Sequence, residues 1–490
     1  MVPIDEIIPV KMLEAMPVTA EDWEHTPKSV QNLVIGLLKH LQGLEEEVAI
    51  LRERVNRNSG NSSQPPSKDG PGVAPKKEGE KRHSGRKRGG QVGHPGTQRK
   101  LVPVEQLKAE QDVKPATCRC CGEKLSGEDP TPYRHQVAEV PPAVVEVSEY
   151  RLHKLTCVKC GATTRAELPE GVPQGNFGPR LQASVALLSG RYHLSKREVS
   201  GLMDDFFQAD LGLGSVPTLE QRTSKAIAKP VEEARAYVRE QKVVSQDETG
   251  WKEGNQKAWL WVAATPLVTV FMISLHRSAE VAKQMLGLDF KGILNSDRWS
   301  AYNWLANQQR QLCWSHLLRD FQAFAERGGE SQLLGETLLR LAHQMFTWWH
   351  AVRDGTSSQS QFQERMGPIR IEVGELLRKG TTCPHTGTAG TCRDILKREE
   401  ALWTFVDVPC VEPTNNLGER QIRPGVLWRN GSFGTQSEAG SRFVERIMTV
   451  VSTLKQQDRN VLDYLTKACE AAILNQSAPS LLPVEPAPIG

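Results

Sequence analysis

Val243-Val244-Ser245-Gln246-Asp247 opens the stretch whose reading decides the fold, and Gly292-Ile293-Leu294-Asn295-Ser296-Asp297 closes it. Each is a short apolar run that ends on a carboxylate. Between them lie two further strand-like runs, Ala258 to Ala263 and Leu267 to Ser274, rich in Val, Ile, Trp and Phe and broken by Thr265-Pro266. Acids that each cap a buried strand are suited to sit side by side at one sheet edge. Bare carboxylates so close repel each other, and burial raises their pKa. A divalent cation removes that cost, and oxygen ligands suit Mg2+ or Mn2+. The plainer alternative is that Asp247 and Asp297 merely begin turns.

The rest of the chain frames this stretch. Its 490 residues are enough for two to four domains and a substantial core. No run of about 18 apolar residues occurs, so no transmembrane helix is expected. The first residues carry Asp5, Glu6 and Glu14 among apolar ones, unlike a signal peptide. Ten cysteines in so long a chain, four of them in CxxC pairs, point to metal binding in a reducing compartment rather than to a disulfide scaffold. A net charge of +3 hides an uneven distribution.

Residues 29 to 55 carry a heptad seam, with Val34, Leu41, Val48 and Val55 at one position and Leu37, Leu44 and Leu51 at the other. That pattern favours a parallel dimeric coiled coil, the alternative being a helix packed on its own chain. A polar, turn-rich tract follows from Asn58 to Ser67. Then comes a basic block. Nine Lys or Arg fall between Lys76 and Lys100, against Glu78 and Glu80, for a net +7. Lys81, Arg82, Arg86, Lys87 and Arg88 form its densest part. A disordered cationic arm of this kind suits DNA, gaining affinity by counterion release, although a merely solvated linker has the same composition.

Cys118-x-x-Cys121 and Cys157-x-x-Cys160 come next, each followed directly by glycine, Gly122 and Gly161. Two such knuckles complete a tetrahedral four-sulfur shell for one structural Zn2+. Cys120 is a competing ligand, and a redox disulfide is the alternative. A strand is expected over Ala143 to Leu155. Helices are expected over Leu181 to Leu188, from Ser195 to Phe207 and from Val216 through Lys225; helix, turn and helix in that order resemble a DNA-reading unit or an ordinary bundle.

Downstream, Gln311 to His316 reads as one more short strand, leading into a helix from Leu317 to Glu326. Leu333 to His350 and Gln361 to Arg378 are helical by periodicity. Cys383, His385 and Cys392 fall in a Gly/Thr-rich stretch that reads as a loop, and their loose spacing reads as chance. Residues 298 to 418, 121 in all, separate Asp297 from Glu419 in Asn415-Asn416-Leu417-Gly418-Glu419-Arg420-Gln421-Ile422-Arg423-Pro424. Asparagines before an acid make ordinary helix-capping chemistry. The more specific reading is a metal-ligating carboxylate flanked by phosphate-holding Arg420 and Arg423. Arg429, Arg442 and Arg446 extend the basic character, and Asn460 to Leu474 reads as a last helix.

Together these residues resemble the IS66-family transposases of bacterial insertion sequences. The likeness is carried by Asp247-Glu248-Thr249, by Ser296-Asp297-Arg298 with Tyr302, by Cys313-Trp314-Ser315-His316, and by the segment from Asn415 to Pro424. The Asn/Ser-Pro-Pro-Ser tract, Gly-Gly-Gln-Val-Gly-His-Pro-Gly and the paired CxxC follow the same order. The resemblance implies a multidomain α/β protein. An RNase H-like mixed-sheet core over 241–447 would carry a helical insertion at about 317–405. A coiled-coil helix (1–56), a disordered basic linker (57–112), a zinc module (113–172) and a helical, helix-turn-helix-like region (173–240) would precede it, and a helix and tail (448–490) would follow. It implies a DDE triad of Asp247, Asp297 and Glu419 binding two Mg2+ or Mn2+ ions, Asp247 bridging both, with His316 an accessory or a packed residue. The expected activity is cleavage at the element's ends and transfer of the 3′-OH to target DNA. The expected partners are DNA, a second copy of the chain or a higher oligomer, and helper proteins of the same element. A cytoplasmic, nucleoid-associated location follows. The rivals are a nuclease with the same core that cuts without joining, and a non-catalytic zinc-containing DNA-binding protein.

Overall fold

The computed structural model of the chain describes residues 20–62 and 101–483. The basic residues Lys81, Arg82, Arg86, Lys87 and Arg88 lie outside the described residues. In chain order, helix α1 (Lys28–Val55) is followed by the hairpin strands β1 (Lys154–Thr156) and β2 (Thr163–Arg165). Four helices come next, α2 (Pro179–Tyr192), α3 (Lys196–Phe207), α4 (Ser215–Ala226) and α5 (Ala228–Arg239). Then β3 (Val243–Glu253), β4 (Gln256–Ala264) and β5 (Thr269–Ser274) run on, with α6 (Ala279–Leu286), β6 (Ile293–Ser296) and β7 (Arg310–Leu312) after them. A helical stretch follows, α7 (Trp314–Glu326), α8 (Gly329–Arg353), α9 (Gln359–Gly380) and α10 (Thr386–Leu396), and α11 (Asn416–Ser432), α12 (Glu438–Gln456) and α13 (Val461–Ile473) complete it. The chain divides into two compact units, one of residues 1–76, 167–196 and 214–490, the other of residues 77–166 and 197–213.

The larger unit is built on a five-stranded mixed sheet in the order β5-β4-β3-β6-β7. β3, β4 and β5 form an antiparallel meander, while β6 and β7 run parallel to β3 and to each other. From Ala258 onward β4 is almost wholly buried, which is why Ala258 to Ala263 is a continuous apolar run rather than an alternating one. Val244, Leu260, Val262, Phe271 and Leu294 join side chains of α2, α5, α12 and α13 in one core. α7 to α10 hold a second core of their own, from Leu312 and Trp314 through Phe362 to Val411.

The outer edge of β5 is closed in a way its sequence does not announce. The amides of Thr269 and Phe271 donate to Thr453 Oγ1 (3.1 Å) and Thr449 Oγ1 (3.0 Å), and that of Ile273 donates to the Glu445 carboxylate. Side chains four apart on α12 thus meet residues two apart on the strand. The two repeats match, since four helical residues rise about 6 Å and two strand residues nearly 7 Å. An edge that would otherwise recruit another strand is satisfied internally.

Glu445 is 2 % exposed, and burial lifts its carboxyl to about 7 despite the Arg442 ion pair at 3.0 Å. Arg442 stays in partial contact with water, so its charge does not repay the desolvation. The folded chain therefore holds this proton more tightly than the unfolded chain does. Stability from this group is greatest below pH 4.5 and falls as pH rises to about 7, by at most about 3 kcal/mol. Glu445→Gln keeps an acceptor for Ile273 and is expected to flatten that part of the curve. Chemical denaturation from pH 4 to 8 checks this; an unchanged slope in the variant contradicts it.

Several boundaries differ from the sequence expectation. β3 does not stop at Asp247 but runs to Glu253, because β4 continues to pair with it beyond the last β6 pair. The strand before the helical stretch ends at Leu312, and His316 lies in the first turn of α7. Cys313 is extended there and the Trp314 amide turns to Pro413 O (2.9 Å), which starts the helix early. The Gly/Thr-rich stretch after His385 is helical, not a loop. The His385 ring caps it on the Thr388 amide, and Thr388, Ala389, Cys392 and Ile395 bury one face. The helices expected from Leu333, Gln361 and Asn460 are present as α8, α9 and α13.

α1 is continuous, and its Leu37, Leu41, Leu44, Val48, Leu51 and Val55 are exposed. Near its C-terminal end Glu53 meets Arg327 at 2.6 Å. In the smaller unit only Lys154–Thr156 of the expected strand forms, paired with Thr163–Arg165; Val144 and Val147 are exposed and have no strand beside them. α3 falls in this unit and α4 in the larger one.

Candidate active site

The parallel register of β3 and β6 pairs Val243 with Ile293, Val244 with Leu294 and Ser245 with Asn295. Two residues further on, the same register carries Asp247 and Asp297 to the C-terminal ends of these pairings. Asp297 is fixed by its own turn, its Oδ1 accepting the Trp299 amide at 2.9 Å. Arg310, 1 % exposed, donates to Asp297 O (3.1 Å) and Asn303 Oδ1 (3.1 Å) and holds that turn from below. Arg298 reaches the other way, to Asp320 (2.6 Å) on α7 and Asp394 (3.2 Å) on α10.

Glu419 arrives from α11. The loop before it is stitched to the sheet. Asn295 Nδ2 donates to Glu412 O (2.8 Å) and Thr414 O (3.0 Å), and Asn415 Nδ2 donates to Gln246 O (2.8 Å). The Asn415 amide donates to Cys313 Sγ at 3.2 Å. Asn415 then begins α11, its carbonyl accepting the Glu419 amide at 3.0 Å. The asparagine thus ties a helix start to the strand that carries Asp247. Gly418 suits the crowding, because a Cβ there would lie 2.8 Å from Asn415 Oδ1.

These acids share one electrostatic field. Burial first, then the charges of Glu248, Asp297 and Glu419, push the Asp247 carboxyl well above the usual range. Burial would also raise Glu419, but its contact with His316 and the charge of Arg319 hold it below the ordinary value. His316 Nε2 lies 3.3 Å from Glu419 Oε1. Among the described residues, Asn415 Oδ1 is a buried oxygen without a hydrogen bond, and Glu419 Oε1 meets the His316 ring without a well-aligned one. Crowded carboxylates with unspent acceptors are the donor set of a hard divalent cation.

Sequence reading passed over Glu248 as a site residue. Its side chain is 3 % exposed and faces away from Asp247 along the strand. Tyr302 donates to it at 2.6 Å and Arg277 at 2.6 Å, while Arg277 stacks 4.1 Å over the Trp299 ring. The signal was adjacency alone, an acid next to an acid, with no spacing to announce Arg277. Arg310 gave no signal either, since a lone arginine in a strand reads as exposed.

Arg420 and Arg423 are exposed on the helix that carries Glu419, and neither has an ion-pair partner among the described residues. Arg429, Arg442 and Arg446 are spent inside the fold instead. They bond to Gly250 O (2.5 Å), Ile273 O (3.0 Å) and Ser224 O (3.1 Å) respectively.

In the smaller unit the two CxxC turns are copies of each other. The Cys118 amide donates to Glu123 O and that of Cys157 to Ala162 O, both at 2.8 Å. Gly122 (φ 75°) and Gly161 (φ 73°) take the left-handed conformation that closes each turn. Backbone N–H groups of Cys121 and Cys120 lower the Cys118 thiol, and those of Cys160 and Lys159 lower the Cys157 thiol. The structure pairs the thiols within each turn; among the described residues it does not gather both turns into one four-sulfur cluster.

A sequence-family model described as the transposase IS66 family matches residues 174–442, which span every residue of the acidic site just described. A second, described as a family of unknown function, matches residues 18–100. An uncharacterized protein of Sinorhizobium fredii, y4qI, is 31 % identical over 235 residues. That alignment covers 43 % of this chain and 43 % of the relative, less than half the length of each.

Proposed function

This chain belongs to the IS66 transposase family, and on that premise we propose that it is a DDE transposase that cuts DNA at the ends of an insertion sequence and joins the freed 3′-OH to target DNA. The observation that carries the reading is the convergence of Asp247, Asp297 and Glu419 from two strands and a helix into one electrostatic field. The sheet order β5-β4-β3-β6-β7, antiparallel then parallel, supports an RNase H-like core. The separate core of α7 to α10 supports a helical insertion between the second and third acids.

Asp247, Asp297 and Glu419 would hold Mg2+ or Mn2+ ions, and their crowding and unspent oxygens fit such ions. When bound, the ions activate a water or 3′-hydroxyl and stabilise the leaving oxygen of an in-line displacement. The chain's own residues supply the rest. Arg420 and Arg423 grip phosphates beside Glu419. His316 steadies the Glu419 carboxylate. Arg310 fixes the Asp297 turn, and Arg298 locks it to α7 and α10. In each CxxC turn N–H groups directed at a thiol favour the thiolate a metal requires; one Zn2+ shared by Cys118, Cys121, Cys157 and Cys160 would need the two turns drawn together from where they lie. The exposed seam of α1 serves a homodimer, and the basic arm at Lys81, Arg82, Arg86, Lys87 and Arg88 adds affinity for DNA.

Incubation with end-containing and target duplexes over a Mg2+ titration tests this. Joined product that depends on Mg2+ is expected. Cleavage without joining favours the nuclease, and binding indifferent to Mg2+ with neither product favours a plain DNA-binding protein. Arg420→Ala with Arg423→Ala is expected to weaken DNA binding and to lower the salt slope by about 2, one for each phosphate no longer gripped. An unchanged slope removes both arginines from the DNA interface.

A further inference from the structure

We propose that Cys313, His316 and Glu419 form a binding site for one borderline transition-metal ion of the zinc class, distinct from the paired CxxC turns. Their ligand atoms all lie within 4.8 Å of one another. Cys313 begins α7 and His316 sits in its first turn, so one turn of backbone presents the sulfur and the imidazole to the same side. Glu419 closes the third side from α11, its Oε1 3.3 Å from His316 Nε2.

The donor set selects the ion. Thiolate and imidazole are poor ligands for Mg2+ and good ones for Zn2+ or Co2+. Three protein ligands leave a fourth position open, as in zinc sites that exchange their last ligand. Two backbone features act on the sulfur, and burial outweighs both. It accepts the Asn415 amide at 3.2 Å and lies at a helix N-terminus, and both favour the thiolate. The thiol itself is buried and held up to about 11. Binding therefore forms a metal–sulfur bond, breaks the S–H bond and releases that proton to solvent. The partly exposed His316 and Glu419 leave the site reachable from outside. The site shares Glu419 with the acidic triad and uses neither aspartate.

The test is metal content of the full chain, stripped with chelator and then dialysed against micromolar Zn2+. Cys313→Ser and His316→Gln are each expected to hold one zinc per chain fewer than the parent. Asp247→Asn is expected to hold the same number as the parent. With Co2+ in place of Zn2+, thiolate-to-cobalt absorption should fall in Cys313→Ser by the share of one thiolate. If both variants melt at the parent's temperature and keep the parent's zinc content, the site is refuted. His316→Gln decides the matter alone if Cys313→Ser does not fold, because its ring is partly exposed. Loss of joining in Asp247→Asn with zinc content unchanged bears on the triad and leaves this site standing.

Discussion

Asp247→Asn is expected to reduce cleavage and joining by a factor on the order of 10³ or more, equivalent to about 4 kcal/mol of transition-state stabilisation, while leaving binding to end-containing DNA intact. Asparagine keeps the shape and removes the charge. Burial, and after it the charges of Glu248, Asp297 and Glu419, already drives the Asp247 carboxyl toward the neutral form. The same substitution should therefore raise the melting temperature measured without divalent ions. Activity falling while stability rises is the signature of a site that holds strain for its chemistry. Asp297→Asn and Glu419→Gln should match it in activity. Near-parental joining by any one of the three removes that residue from the triad.

The second large effect concerns stability. Arg277→Ala strands Glu248, 3 % exposed, with Tyr302 as its one remaining partner among the described residues. Leaving one member of a buried pair uncompensated costs about 3 kcal/mol. Arg277 is itself 40 % exposed, so the lower part of the usual range applies. Glu248 already lies above its ordinary value through burial and the charge of Asp297, and losing Arg277 raises it further. The unfolded carboxyl titrates near 4.5, so the penalty is small below that pH and grows as pH rises through the folded value. Thermal melts of both proteins at pH 5 and pH 8 decide it. A gap that does not widen with pH means that Glu248 is solvated or otherwise neutralised.

The sheet was legible because its strands bury both faces. Ala258 to Ala263 is apolar without alternation, and Val243-Val244 and Ile293-Leu294 are short apolar starts that lead into an acid. The acids were legible because each follows such a run or opens a helix behind an asparagine. Strand lengths were not legible. The far half of β3, with Thr249, Trp251 and Lys252, is set by cross-strand pairing to β4, which no local pattern records. The same holds for the edge of β5, where Thr449 and Thr453 read as ordinary helix residues until the strand is seen beside them. Cys313 to His316 read as a strand because Leu312, Cys313 and Trp314 are all buried. What starts the helix there is a hydrogen bond to Pro413, almost 100 residues away. Glu248, Arg277 and Arg310 share that limitation, since a buried charge is defined by a partner distant in sequence.

The central claim is that three carboxylates far apart in the chain grip the same pair of hard cations. Anomalous scattering from Mn2+ in crystals of the full chain tests it most directly. Peaks about 2.1 Å from carboxylate oxygens of Asp247 and Asp297, with Glu419 completing the shell, are the expected result. Mn2+ absent from the aspartates, with Glu419 still turned to His316 at saturating metal, contradicts it.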